Sequence, residues 1–487
     1  MPDKTILRNT LYNLIGLGVP LVLGVFCIPI LIRDLGIARF GMLTLIWSVV
    51  SYFGLFDFGL GRSLTRELSI AMSKDDFNLQ GRLVGTSLFL LFLLGLLGGA
   101  SMAYLASWFV GHLKGVSDPQ EFINAIRALS FAMPAILITT ALKGILESRQ
   151  KFAMLNILRI PMGLFTFLAP LLTVMYIKPK LDTIAICLVV GRIVGCLIHL
   201  WYSFRLMPIK KYSISIDRTL IKPLALSGAW MTVSNIISPF MGYIDRFMIG
   251  VIVSTTAVAY YATPNEMITK LWLIPGALTS VLFPLFASDS THKSIHSEKL
   301  FNICIYWLYV ILLPITALIA IFAKEILTIW TSIEFALQSF YILRIFAVGI
   351  FINCLTHIPY TLLQGSGKAK WTAFIHIVQL PIYIISLWYL TYAYGVKGAA
   401  LAWLIRIMID SALMFTFCYK RMHWPIGDFV TVRFLMALSP ICLMFMPLLF
   451  DSLLYRLVAY ALCLCTFSIL LAFNFQKQDN ETFRYKL

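Results

Sequence analysis

The sequence predicts an all-α polytopic membrane protein with fourteen transmembrane helices: two six-helix bundles and two additional C-terminal helices. Composition is the first observation behind this. Of 487 residues, 60% are hydrophobic and only 13% are charged, and the mean hydropathy is +0.87. No soluble class has this profile, so the bilayer is the solvent. The second observation is that apolar stretches of about 18–28 residues recur along the whole chain, each enough to cross a hydrocarbon core about 30 Å thick. The third is that basic side chains inside those stretches recur at a nearly constant spacing, which marks an internal repeat.

The first bundle, residues 1–210, takes in spans 11–32, 40–57, 83–109, 122–143, 154–177 and 181–204. Its first span is dense in Gly16, Gly18, Pro20, Gly24 and Pro29, a composition that favours bending. Lys4 and Arg8 precede this span, and Arg33-Asp34-Leu35 follows it in place of a small-residue cleavage site, so it reads as a retained helix. The second bundle, residues 211–425, takes in 223–245, 257–287, 301–322, 337–363, 371–393 and 397–418. Residues 426–487 add 433–450 and 455–475. Six spans per repeat is an even number, so both bundles keep one orientation and the symmetry axis runs along the membrane normal. A substrate site then lies between the bundles near the midplane.

Loop charge predicts the orientation. Alternate connectors starting with the N-terminus hold 24 of the 39 Lys and Arg residues, and the intervening connectors hold 9. Basic residues bias loops inward, so both termini are expected in the cytoplasm. The net charge of +17 is dispersed over these loops, which argues against a nucleic-acid partner. Nine cysteines lie in apolar segments without metal-ligand spacing and read as small buried hydrophobes. No catalytic triad or zinc-protease helix is present, and the connectors are too short for a catalytic domain. The chain therefore does not read as an enzyme. Gly365-Ser366-Gly367-Lys368 lacks the spacing of a phosphate loop, and His292 with His296 reads as a loop surface.

The remaining six cations are intramembrane: Arg127, Arg159, Arg192, Lys270, Arg344 and Arg406. Each costs at least about 2.5–3.5 kcal/mol on insertion scales, so each needs a reason. Arg127 pairs with Arg344 at a sequence offset of 217, and Arg192 with Arg406 at an offset of 214. Arg159 has His376 as its own echo, again at 217. A duplicated set implies a two-fold, positively lined cavity for an anionic substrate. The competing reading is structural. Arg406 has Asp410 one turn later and Lys270 has Glu266 one turn earlier, so these could be ion pairs fixing helix contacts. Arg192 has no acid on its own helix face. Arg127 and Arg344 could reach headgroups, and His376 taken alone is an ordinary core histidine. Asp57, Glu266 and Asp410 are candidates for reversible protonation, although Asp57 could equally cap the helix end before Gly59-Leu60-Gly61. Asp245-Arg246 is either a gate pair or an interfacial pair. Trp47, Tyr52, Trp230, Tyr260, Tyr261 and Trp272 could stack on sugar rings, against the commoner role of packing.

Arg33-Asp34-Leu35-Gly36, Phe40-Gly41 and Leu55-Phe56-Asp57-Phe58-Gly59-Leu60-Gly61 together resemble the N-terminal signature of Wzx-type polysaccharide-repeat flippases, the O-antigen and capsule transporters of the MOP exporter superfamily. Ile244-Asp245-Arg246-Phe247-Met248-Ile249-Gly250, Tyr260-Tyr261 and Phe283-Pro284 are similar to the matching second-half segment. The resemblance covers essentially the whole chain. It implies a MATE-like fold in the bacterial inner membrane and flipping of an undecaprenyl-diphosphate-linked glycan by alternating access. It further implies a cationic cavity, coupling to a proton or sodium gradient with no other cofactor, and a groove for the lipid tail near the last two helices. Membrane lipids and other polysaccharide-assembly membrane proteins are the implied partners. Two rivals stay open. A peptidoglycan-precursor flippase would share the fold and the cationic cavity, whereas a multidrug cation antiporter would usually show twelve spans and an acid-dominated cavity.

Overall fold

A computed structural model describes residues 4–149, 151–206, 215–226, 229–288, 295–422, 445–450 and 452–484. The described residues form seventeen α-helices joined by short turns. Among the described residues, eight helical stretches are long and apolar enough to cross a membrane, and one of them, Ala369–Lys420, holds two of the expected spans. Large apolar side chains such as Tyr104, Trp108 and Ile385 are mostly exposed on the outside. That surface is what a lipid solvent requires.

The first bundle contains α1 (Lys4–Leu35), α2 (Ile37–Phe53), α3 (Leu60–Ser73), α4 (Phe77–Gly111), α5 (Pro119–Ser130), α6 (Met133–Ser148), α7 (Phe152–Tyr176) and α8 (Leu181–Leu206). A short α9 (Ile221–Leu226) leads into the second bundle. There follow α10 (Ala229–Ile252), α11 (Thr255–Ile268), α12 (Leu273–Ser288), α13 (Ile295–Ile321), α14 (Ala323–Trp330), α15 (Ile333–Gly365) and α16 (Ala369–Met422). Finally α17 covers Leu453–Arg484. Polar caps set several starts. The Asp76 side chain accepts from Leu79 N, Asp118 from Glu121 N, Ser254 from Ala257 N and Ser332 from Phe335 N. Each such cap satisfies one of the unpaired amides of a first turn.

Helix boundaries depart from hydropathy in instructive ways. The expected second span runs on, through a 3-10 turn at Gly54–Asp57, into the amphipathic α3, where hydropathy predicts a connector. The expected eighth span is likewise broken, by a 3-10 turn at Thr269–Trp272. Gly54 and Thr269, which begin the two turns, stand at nearly the offset that relates the paired cations. The repeat thus duplicates its irregularity as well as its helices. Irregular backbone at membrane depth is tolerated where protein or cavity water satisfies it. At the first break Phe58 and Gly59 both have positive φ, and Asp57 Oδ1 accepts from Gly59 N at 2.8 Å. Spans eleven and twelve are the two helical arms of α16, which meet at a kink where Gly395 has the non-helical φ 59° and ψ −139°. Most of the expected span 433–450 lies outside the described residues.

In the first bundle α1 packs on α7, α4 on α6, and α5 and α7 on α8; in the second, α10 and α15 pack on α16, and α11, α12 and α13 on α15. The bundles meet chiefly where α2 packs on α11, with α1 against α12. Gly41 permits this approach, because a Cβ there would lie 1.9 Å from Thr255 O. Beside it the α4–α5 connector crosses to the other bundle. Lys114 N donates to Gly250 O at 3.0 Å, Thr255 N donates to Lys114 O at 2.9 Å, and Lys114 Nζ donates to Ile252 O at 2.9 Å. Thr255 Oγ1 donates to Gly115 O at 2.7 Å. This end of the molecule is therefore closed. At the opposite end the linker between bundles is tied down, with Arg82 donating to Asp217 at 2.9 Å. Hydrogen bonds from Thr219, and then Arg82, hold the Asp217 carboxyl below its ordinary value.

Candidate functional site

In the first bundle three cations gather from three helices. Lys143 on α6 lies within electrostatic reach of Arg159 on α7 and Arg192 on α8, with Glu147 one turn further along α6. Arg159 Nη1 donates to Asn156 Oδ1 at 3.5 Å, and Arg192 Nη2 donates to Thr166 Oγ1 at 3.3 Å. Lys143, Arg159 and Arg192 all remain partly accessible although they lie inside membrane-length helices. Lys143 falls at the hydropathy-defined end of its span, where the sequence predicts the start of a connector. The helix instead continues beyond it to Ser148, which carries the ammonium inside.

The second bundle repeats the positions with different chemistry. Adding 217 to Lys143, Arg159 and Thr166 gives Tyr360, His376 and Tyr383, and adding 214 to Arg192 gives Arg406. Those four residues meet in two pairs. Tyr360 stacks on His376 with centroids 6.1 Å apart, and the Arg406 guanidinium lies 5.2 Å from the centre of the Tyr383 ring. His376 Nε2 approaches Asp410 Oδ1 at 3.6 Å, and Gln379, its amide turned to suit, donates to the same oxygen at 3.2 Å. Where the first bundle has a lysine and an arginine, the second has a tyrosine and a histidine.

Beside these, Arg246 is almost fully buried and held on three sides. Its Nη2 donates to Glu266 at 2.8 Å and to Asn265 at 3.2 Å, and its Nη1 crosses to Ser48 of α2 at 3.3 Å. Lys270 Nζ donates to the second oxygen of Glu266 at 3.1 Å. Tyr261 donates its hydroxyl to Asp245, which lies within the field of Arg406. Glu266 and Lys270 keep 23% and 28% of their side chains accessible, so this wall meets water. Counting the charges in each set separates the bundles. Arg246, Lys270 and Arg406 stand against Asp245, Glu266 and Asp410, whereas Lys143, Arg159 and Arg192 stand against Glu147.

Three sequence candidates sit elsewhere. Arg127 lies exposed on α5 and donates to Ser107 at 3.2 Å. Arg344 donates to Ala320 O at 3.1 Å, rests on Phe340 and Tyr341, and feels Arg456 and Glu325. Asp57 serves the helix break described above. Arg127 and Arg344, though partners in the repeat, thus belong to the periphery. Among the aromatics, Trp47 and Tyr261 are buried, Tyr52 packs among Phe240, Tyr243 and Phe247, and Tyr260 packs against Phe335. Trp272 stays 39% exposed. The Trp230 side chain lies outside the described ones.

Residues 6–290 match the family described as polysaccharide biosynthesis protein, and residues 231–390 match the MatE family. The chain is 31% identical over 420 residues to a Shigella flexneri protein named "Putative O-antigen transporter", covering 86% of this chain and 98% of that one. It is 22% identical over 281 residues to the "Uncharacterized membrane protein EpsK" of Bacillus subtilis, covering 57% and 55%. An inward-facing multidrug resistance MATE transporter of the MOP superfamily superposes with a TM-score of 0.71 at 15% identity, covering 86% of this chain and 99% of that chain. An outward-facing one gives 0.64 at 17% identity, covering 87% and 96%. These two likenesses show the fold.

Proposed function

The chain belongs to the polysaccharide biosynthesis protein family, and from that premise we propose that it flips undecaprenyl-diphosphate-linked oligosaccharides from the cytoplasmic to the periplasmic leaflet of the bacterial inner membrane. The observation that carries this is the cation excess of the first bundle, where Arg159, Arg192 and the single acid Glu147 all lie within electrostatic reach of Lys143. Like charges gathered in a site of lowered dielectric repel, and a diphosphate with about two negative charges relieves that repulsion. A drug cation would meet charges of its own sign there. The second bundle, with its cations balanced, suits ion coupling: Asp410, His376, Glu266 and Asp245 are groups on which a proton or sodium ion would act. Arg127 and Arg344 are better placed for headgroup contact than for the cavity.

Loop charge puts the closed end of the molecule on the periplasmic side, with both termini in the cytoplasm. The conformation then receives substrate from the cytoplasm. Moving each negative charge outward along an inside-negative potential gains about 2.3 kcal/mol per 100 mV. The test is translocation of lipid-linked oligosaccharide in proteoliposomes at equal folded abundance. Arg192→Ala is expected to reduce flipping by at least about 100-fold, the effect of losing about 2.7 kcal/mol. Arg406→Ala is expected to retain binding of undecaprenyl diphosphate and lose its dependence on the ion gradient. Full flipping by Arg192→Ala would make that arginine structural and sink the assignment.

A further inference from the structure

We infer that Trp272 is the platform of a carbohydrate subsite in the second bundle, where the sugar nearest the diphosphate stacks while the phosphates rest on the first bundle. This rests on the flippase reading above. Trp272 ends the 3-10 break between α11 and α12, two residues after Lys270, which pairs with the partly exposed Glu266. Its indole Nε1 donates to Asn353 Oδ1 at 2.7 Å, which fixes the ring plane. Asn353 lies near the middle of α15. It shares a stripe with Phe346, His357 and Tyr360, at helical spacing along the one helix. Phe346 packs on Trp403 and Tyr360 on His376, so the stripe faces the bundle interior. Polar side chains at membrane depth face the interior or a water-filled cavity, and Asn353 with His357 fits that rule.

A ring pinned by its edge, with its surface still 39% open, is preorganised for a flat partner. The Asn353 amide at its edge can also bond a hydroxyl, and Lys270 and Glu266 precede Trp272 on the same broken segment. Sugars present this combination: a C–H face that lies on an aromatic ring and a hydroxylated edge. Lipid tails present no such edge. The other aromatics considered from sequence whose side chains are described are either buried or packed on neighbouring rings. Trp272 is distinguished by its open face.

The experiment uses the full chain in lipid nanodiscs and two probes: undecaprenyl diphosphate without sugar, and lipid-linked oligosaccharide isolated from the cells that make this chain. Trp272→Ala is expected to weaken the oligosaccharide probe about tenfold while leaving the sugar-free probe within about twofold, and Trp272→Phe to keep both. Retained binding of the sugar-free probe also shows that the variant is folded. Equal losses for both probes, or no loss for either, would overturn the subsite. A wild type that binds both probes equally well would overturn the subsite alone. A wild type that binds neither would overturn the flippase reading beneath it.

Discussion

Glu266 accepts from both Arg246 and Lys270, and this single carboxylate decides whether that wall carries two free cations or a compact ion triad. Breaking a buried pair by removing one partner costs about 3–5 kcal/mol, and the partial exposure of Glu266 lowers that to about 2–3 kcal/mol. Glu266→Gln should therefore lower the thermal midpoint in detergent clearly, and Glu266→Gln with Lys270→Met should recover part of the loss. An unchanged midpoint in the single variant would show that water already screens the triad. The pairing of Lys270 with Glu266 was legible because the two lie one turn apart. Arg246 with Glu266 was not, because they come from different helices, and only the packing of α10 on α11 brings them together. Lys143 was hidden for another reason. Lys and Glu prolong a helix as readily as they end a hydropathy window, so α6 runs past the apolar limit.

The elements obey the repeat where it is geometric and depart from it where local chemistry intervenes. Phe152, which starts α7, and Ala369, which starts α16, stand at the same offset as Arg159 and His376. Gly36, at φ 78°, turns α1 into α2, whereas its expected echo Gly250 lies inside α10, where a Cβ would come 2.9 Å from Leu113. The two glycines meet different steric demands. The last helix is held by a contact that hydropathy could not show. Arg456 on α17 bonds both oxygens of Glu325 on α14, at 2.6 and 3.3 Å, and also Ile321 O at 3.1 Å. One turn later Tyr460 donates to Pro314 O at 2.8 Å. Arg456→Ala leaves Glu325 without that partner, a loss of about 3 kcal/mol at this contact. The buried Cys463, two turns along α17, should then react with maleimide faster, by mass spectrometry of its peptide, than in the parent chain. Unchanged labelling would mean that apolar packing alone holds α17.

At the scale of the whole molecule, function rests on whether the two bundles move as units about the α2–α11 contact. The strap from Lys114 and Gly115 to α10 and α11 supplies four hydrogen bonds at one end, and Arg246 to Ser48 and Tyr52 to Phe240 continue the closure deeper. Four bonds of about 1 kcal/mol each are enough to favour one state and few enough to release. The geometry offers a direct lock. A Cβ at Gly115 would lie 3.2 Å from Ser254 Cβ, a few tenths of an ångström under the roughly 3.5–4.5 Å a disulfide spans, so a small easing of the strap admits one. Gly115→Cys with Ser254→Cys, in a background freed of the nine native cysteines, should crosslink under mild oxidation. Since Gly115 has φ 67°, part of the crosslink energy goes into backbone strain, and the bond should be readily reduced. Oxidised protein is expected to bind undecaprenyl diphosphate and fail to flip it, and reduction should restore flipping. This separates closure from binding, because Gly115 lies just before the membrane-length stretch Pro119–Ser148 and Lys143 lies near its other end. A locked protein that flips at the wild-type rate would mean that this end never opens, and alternating access about α2 and α11 would have to be abandoned.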